Sequence, residues 1–396
     1  MTGKTPNPLH ASWLDSSAGK IPDPIDKLRF LRQATRRPAS SGKSKRRRWP
    51  RYRYLLGVAA ALLILVASRR PAATAKANVP TAASVEHEFP IYVADAHPNT
   101  TGTSKVWIVD RSETLESYSN GLRIDLGSTV SNRPRESYPI FPLTGSASPA
   151  HYGTQPAGIV FHTTESHLAP FEEEQTGRLK KLGSSLREQL REKHSYHYVI
   201  DRFGRVFRVV AEGDVANHSG NSVWADASGV YVNLNSSFLG VAFEAQTGAA
   251  AEVTPAQIEA GRLLTEMLRA RYSIPAENCV THAQVSVSPR NMHVGVHVDW
   301  AAAFPFASLG LPDNYELPLP SVYAFGFESD VSFKRSTAGG WKGLKLATEQ
   351  LARQAEDEGI TVARYRTKLQ RRYKSILDAV RDQENEEPVE QTDGGN

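Results

Sequence analysis

AGIVFHTT (157–164), SYHYVIDRFGRVFRVV (195–210) and SSFLGVAFEAQ (236–246) are the apolar runs whose reading decides the fold. The first is a strand that ends at His162. The second reads as strand, turn at Asp201–Gly204, strand, and the third is a further strand carrying Glu244. Between the first two, residues 170–193 are strongly charged and punctuated by helix formers, which predicts a surface helix. VTPAQIEAGRLLTEMLRARY (253–272) is the best helix in the chain. Thr254 is its N-cap, Pro255 takes the first turn, and Gln257 completes a capping box. Ala260, Leu263, Leu264, Met267 and Leu268 supply the apolar stripe. A short strand, NCVTH (278–282), follows and ends at His282. Strands alternating with helices predict an α/β domain with a largely buried sheet.

On the N-terminal side, residues 86–148 read as a β-rich extension. KVWIVD (105–110) and ESYSNGLRIDL (116–126), with the turn signal Asn120-Gly121, suggest a hairpin. On the C-terminal side, residues 321–382 read as a helical extension. Tyr365, Leu369, Tyr373, Ile376, Leu377 and Val380 form one stripe, and the opposite face is basic. A helix-turn-helix is a weak alternative there to an accessory helical hairpin with a solvated basic face. The acidic end, 383–396, reads as disordered.

The net charge of +5 over 396 residues hides a split. Residues 1–80 carry 17 Lys/Arg against three Asp/Glu, whereas residues 81–396 carry 30 against 39. The basic character belongs to an N-terminal arm and not to the body, which removes the case for a nucleic-acid partner. A single cysteine, Cys279, excludes an internal disulfide framework, a Cys-rich zinc site and an iron–sulfur cluster.

Residues 1–53 read as a disordered basic arm ending in KSKRRRWPRYR (43–53), with seven positive charges in eleven residues. YLLGVAAALLILVAS (54–68) follows without a charge, then Arg69-Arg70 and an Ala/Pro/Thr linker to residue 85. Fifteen helical residues span about 22 Å, short of the roughly 30 Å hydrocarbon core unless flanking Arg, Trp and Tyr side chains reach the interface. The charge bias across the run predicts a single-pass inner-membrane anchor, with the body in the periplasm or cell envelope. A signal peptide cleaved near Ala75-Lys76-Ala77 is the alternative, and it too exports the body. A buried core helix is the bland reading, and seven cations beside it argue against it.

Six ordered blocks carry a family resemblance. IVFHTT (159–164), SYHYVIDRFGRVFRVV, ANHSG (216–220), NLNSSFLGVAFEA (233–245), VTHAQVS (280–286) and HVDWAAAFPF (297–306) resemble blocks of the zinc-dependent type 2 N-acetylmuramoyl-L-alanine amidases, a superfamily that includes the peptidoglycan-recognition proteins. The family patterns are, after the first histidine strand, Y-H-F-x-I-D-x-D-G-x-I, A-W-H-A-G, N-x-x-S-I-G-I-E, G-H-x-x-V-S and K-x-D-P-G-x-x-F-x-W. Any one block is weak; six in order over about 38% of the chain are strong.

The resemblance implies a central mixed β-sheet flanked by helices over 149–320. It also implies a Zn2+ cofactor and hydrolysis of the bond between N-acetylmuramic acid and L-alanine in peptidoglycan or muropeptides. His162, His282 and Asp299 become the metal ligands, a donor set that suits a catalytic zinc with one open position. Glu244 becomes the candidate base. Tyr196 and His297 become candidates for stabilising the oxyanion. His297 stands where the family has Lys, and the segment from His282 to Asp299 is longer than usual and holds His293. His293 and His297 therefore remain alternatives to Asp299 as third ligand. Trp300-Ala301 replaces Pro-Gly. His197 reads as structural, His218 as a substrate contact or a surface residue, and His151, His167 and His194 as surface residues. A membrane-tethered peptidoglycan-binding module without catalysis is the second function class. A membrane-bound regulatory protein acting through its C-terminal helix is the third. Protein partners and oligomeric state are not legible.

Overall fold

The computed structural model describes residues 105–247, 253–329, 331–337 and 340–386. The arm, the apolar run 54–68 and the linker lie outside these residues. Among the described residues no helix is long and apolar enough to cross a membrane.

The elements follow in chain order. Strands β1 (Ile108–Arg111), β2 (Leu115–Tyr118), β3 (Arg123–Asp125), β4 (Tyr138–Ile140), β5 (His151–Gly153) and β6 (Gly158–Thr163) lead to helix α1 (Thr176–Glu192). Then come β7 (Tyr198–Ile200), β8 (Val206–Arg208), β9 (Val223–Asp226), β10 (Gly229–Val232), β11 (Phe238–Phe243) and α2 (Pro255–Tyr272). After β12 (Cys279–Thr281), the short α3 (His282–Val285), β13 (Val287–Ser288) and β14 (His293–Val294), four helices close the chain. These are α4 (Pro320–Phe325), α5 (Val331–Ser336), α6 (Lys342–Asp357) and α7 (Val362–Glu386).

Eight strands form one mixed sheet in the order β1-β2-β3-β8-β7-β11-β6-β12. Its centre is parallel, β7, β11, β6 and β12 running together, and β8 returns antiparallel to β7. This is the flanked mixed sheet that the sequence implied. The β-rich extension is not a separate layer: β1 to β3 continue the main sheet, β3 pairing parallel with β8. The Asn120-Gly121 turn joins β2 to β3, with Gly121 at φ 90°.

Side-chain alternation divides the sheet's faces. Ile159, Phe161, Tyr198, Ile200, Val241 and Phe243 face α2, where Leu264, Met267 and Leu268 cover them. Val199, Phe207 and Val209 face α1 with Leu186 and Leu190. Burial on both faces explains why these strands read as continuous apolar runs instead of alternating ones. The helix α2 begins as its sequence dictates: Thr254 accepts from the Gln257 N–H at 3.1 Å, and Gln257 accepts from the Thr254 N–H at 3.1 Å. At its other end Ser273 turns left-handed at φ 54°.

The helical extension packs into a second apolar cluster with β9, β10 and the loops after α3. α6 and α7 form the accessory hairpin, with Tyr365, Leu369, Tyr373, Ile376 and Leu377 buried. Helix α7 runs on to Glu386, past the boundary at 382, because the acidic tail opens with helix formers.

Candidate metal centre

The parallel strands deliver the site at their C-terminal ends. His162 is the penultimate residue of β6. His282 does not end β12 but opens α3, directly after Thr281. Asp299 follows the hairpin of β13 and β14. The three converge: one donor atom from each lies within 4.8 Å of the other two, and all three residues are buried. His162 Nδ1 stands 3.3 Å from Asp299 Oδ2. His282 Nδ1 stands 3.0 Å from Asp299 Oδ1, and its buried Nε2 has no hydrogen-bond partner.

Hydrogen-bond logic fixes how His162 is protonated. His218 Nε2 lies 3.3 Å from the Phe238 carbonyl, which only accepts, so Nε2 carries the hydrogen. Burial, with the neighbouring His162 and His197, holds His218 well below the usual imidazole range, so it is neutral. Its Nδ1 is then a bare acceptor, 3.2 Å from His162 Nε2. His162 must donate from Nε2. Burial first, and the His282 charge second, press His162 down to about 4, so it carries a single hydrogen at neutral pH. Its Nδ1 is therefore a bare lone pair aimed at a carboxylate oxygen. Burial acts to raise the Asp299 carboxyl, but the His282 and His162 imidazoles outweigh it and hold it well below the usual carboxylate range. A lone pair facing an anion in a buried site is the deficit a cation fills, so the donor set fits a divalent metal.

The surroundings of the cluster are equally specific. Gly240 on β11 lets the His218 ring approach, since a Cβ there would stand 2.6 Å from the ring carbon Cγ. Tyr196 sits at φ 62°, a strained position for a bulky residue, with its ring 4.9 Å from that of His162. Burial first, then the charges of Asp299 and Glu165, push its hydroxyl up, so it keeps its proton. The His297 ring stacks on His282 at 4.4 Å and 16°. Burial and the His282 charge lower His297 to about 4. Its backbone is tied by the Ser286 hydroxyl, which accepts from the His297 N–H at 3.1 Å. His293 belongs to β14 and is not in the three-donor group.

Glu244 is not brought to the cluster. It lies just past β11, two residues beyond Ala242, the residue in register with His162. Its carboxylate accepts from the Arg202 N–H, just past β7, at 3.2 Å, with Gly183 of α1 beside it. Burial raises it above the usual range. In the S-I-G-I-E pattern the acid falls two residues after glycine; Gly240 is followed there by Ala242. His218, which the sequence left as a substrate contact or a surface residue, is buried under His162 and not at the surface. The ANHSG block was its only signal. His197 is buried and structural, its Nδ1 accepting from the Gly240 N–H at 2.9 Å. His151 and His167 are exposed and His194 is half-buried.

A mixed α/β sheet thus carries a buried His/His/Asp cluster, able to hold a metal ion, at its parallel strand ends. Residues 152–294 match the family described as N-acetylmuramoyl-L-alanine amidase. The match stops before His297 and Asp299. None of the curated proteins matches the chain. Among solved structures, AmiD from E. coli in complex with anhydro-N-acetylmuramic acid-L-Ala-D-gamma-Glu-L-Lys is 26% identical, at a TM-score of 0.31. That likeness covers 41% of this chain and 58% of AmiD. AmpDh3 from Pseudomonas aeruginosa, in complex with an anhydromuramic pentapeptide, is 22% identical over 43% of this chain and 67% of its own, at a TM-score of 0.32.

Proposed function

We propose that the domain hydrolyses the amide between the lactyl group of N-acetylmuramic acid and L-alanine, with zinc held by His162, His282 and Asp299. The observation that carries this reading is the convergence of two imidazoles and a carboxylate, with a bare lone pair set against the carboxylate. When bound, zinc supplies a Lewis acid for the scissile carbonyl and lowers the pKa of water toward about 7.

The chain's own residues divide the remaining work. His218 holds His162 in the tautomer that leaves Nδ1 free. Tyr196, held protonated, donates its hydroxyl hydrogen to the oxyanion as the carbonyl carbon becomes tetrahedral. The proton taken from the attacking water needs a carrier. The ligands are engaged, both nitrogens of His218 are taken by His162 and the Phe238 carbonyl, Tyr196 keeps its proton, and Glu244 faces Arg202. His297, neutral and stacked beside His282, is the remaining imidazole at the cluster, and it passes the proton to the L-alanine amine.

The segment 54–68 anchors the chain in the inner membrane with the domain in the periplasm. The charge excess of 43–53 over 69–76 supports this orientation. Protease added to spheroplasts tests it: loss of the domain is expected, and full protection contradicts the orientation.

Incubating the full chain with purified muropeptides tests the activity. Free stem peptide, absent with His162→Ala, is expected. Retention of muropeptide without cleavage makes the domain a binding module instead.

A further inference from the structure

The loop that carries His297 and Asp299 lies beyond the family match, and the chain after it returns to hold that loop at four points. The Val294 N–H donates to the Glu328 carbonyl at 2.8 Å, and the Glu328 N–H donates to the Met292 carbonyl at 2.8 Å. Phe333 of α5 covers Gly295, which sits at φ 69° and where a Cβ would come within 1.9 Å of the ring. The Tyr315 hydroxyl donates to the Trp300 carbonyl at 2.5 Å. The Trp341 indole N–H donates to the Ala301 carbonyl at 2.9 Å.

These grips are not independent. Trp341 stacks on Tyr315 at 5.0 Å and 17°, and meets Phe333 edge-on at 5.1 Å. The three aromatics therefore form one unit that contacts the loop at residues 295, 300 and 301, on both sides of Asp299. The remaining ties of the loop run to α3 and the residue after it and within the loop: the Gly295 N–H donates to the Ser286 carbonyl at 2.8 Å, the His297 N–H to the Ser286 hydroxyl at 3.1 Å, the Ala283 N–H to the Asp299 carbonyl at 3.3 Å, and the Ala301 N–H to the Val298 carbonyl at 2.9 Å. Val296 and Val298 are exposed, whereas Trp300 packs edge-on against Phe243 and Phe304.

We infer that the C-terminal extension is a clamp for the metal site: Trp341, at the entry to α6, is a positioning residue that sets Asp299 and His297 against His162 and His282. The inference rests on the proposed reading of the cluster as a zinc site. Its physical basis is that a ligand on an irregular loop is only as well placed as the bonds outside the cluster that orient it. In this chain Ser286 and Ala283 hold the loop on one side, and the chain after it supplies the bonds to the two residues that follow Asp299.

The test uses the full chain and two substitutions. Trp341→Phe removes the indole N–H and leaves an aromatic ring against Tyr315 and Phe333. Leu351→Ala opens a cavity in the separate cluster where α6 meets α7, away from the loop. Amide exchange of residues 295–301 is measured on the metal-free protein, and zinc affinity by competition with a chelator. Trp341→Phe is expected to speed exchange in 295–301 severalfold and to weaken zinc about tenfold. Leu351→Ala is expected to lower Tm by more while moving neither. The clamp is overturned if Trp341→Phe exchanges and binds as the unsubstituted chain does, or if Leu351→Ala shifts both readouts equally. A chain that takes up no zinc at all contradicts the site reading, and the exchange measurement then decides the clamp alone.

Discussion

At the scale of residues, the site turns on which nitrogen bears a hydrogen. His218 fixes that for His162 through a chain that ends on the Phe238 carbonyl. His218→Phe keeps a ring in the pocket but removes the acceptor. It is expected to weaken zinc about 10- to 100-fold, read by chelator competition, while His218→Gln restores part of the affinity. Equal affinity in all three proteins would show that the tautomer is set otherwise. His297 and Glu244 make a second pair. His297→Ala is expected to lower kcat about 10²-fold or more, and Glu244→Gln to change it by less than about threefold. The reverse ranking would return the base to Glu244. His162 and His282 were legible as candidates because each stands at or directly after the end of an apolar strand within a quotable block. Glu244 misled because a carboxylate two positions along a strand shares the face but not the neighbour. Register, which sets Ala242 beside His162, is invisible in one sequence.

At the scale of elements, a buried charge network joins β2, β8 and α2. Glu212 accepts from Arg271 at 2.7 Å and from the hydroxyls of Tyr198 and Tyr272, and Arg208 bridges Glu212 to Glu116. Burial acts to raise Glu212, but Arg271, Arg208 and the two hydroxyls outweigh it and hold the carboxyl below its usual value. A depressed carboxyl stabilises the fold above its unfolded pKa and loses that contribution as pH falls through the folded one. Stability is therefore expected to fall below about pH 4, where an unfolded Glu binds its proton. Glu212→Gln is expected to cost about 3 kcal/mol at pH 7 by denaturant unfolding, and to flatten the acid limb. An unchanged acid limb would place the pH dependence elsewhere. Thr254→Ala, which removes the cap of α2, is expected to cost about 1 kcal/mol in the same measurement. That helix was fully legible, because cap, proline and stripe are local signals. The network was not, because its members come from segments about 150 residues apart.

At the scale of the whole molecule, the α/β architecture was readable from alternating strands and helices. The placing of both extensions was not. β1 to β3 lengthen the sheet through a parallel pairing that no local pattern announces. The helical extension reads as an accessory hairpin, and its outer face is indeed charged. Yet its inner side is continuous with the apolar cluster beneath the Asp299 loop, through Phe333, Trp341 and Leu344. Trp341 offered no sequence signal, since a tryptophan before a helix is ordinary and its partner lies 40 residues upstream. Asp299 was the hardest of the three cluster residues to place from the sequence for the same reason: it lies on a loop whose shape is set by distant segments.

In the proposed function, amide cleavage depends on a zinc ion that His162, His282 and Asp299 hold together. Elemental analysis of the purified full chain, paired with stem-peptide release from sacculi before and after chelation, tests it most directly. About one zinc per chain is expected, with loss of release on chelation, recovery on adding zinc back, and no bound zinc in Asp299→Ala. Undiminished release from a zinc-free chain would contradict it.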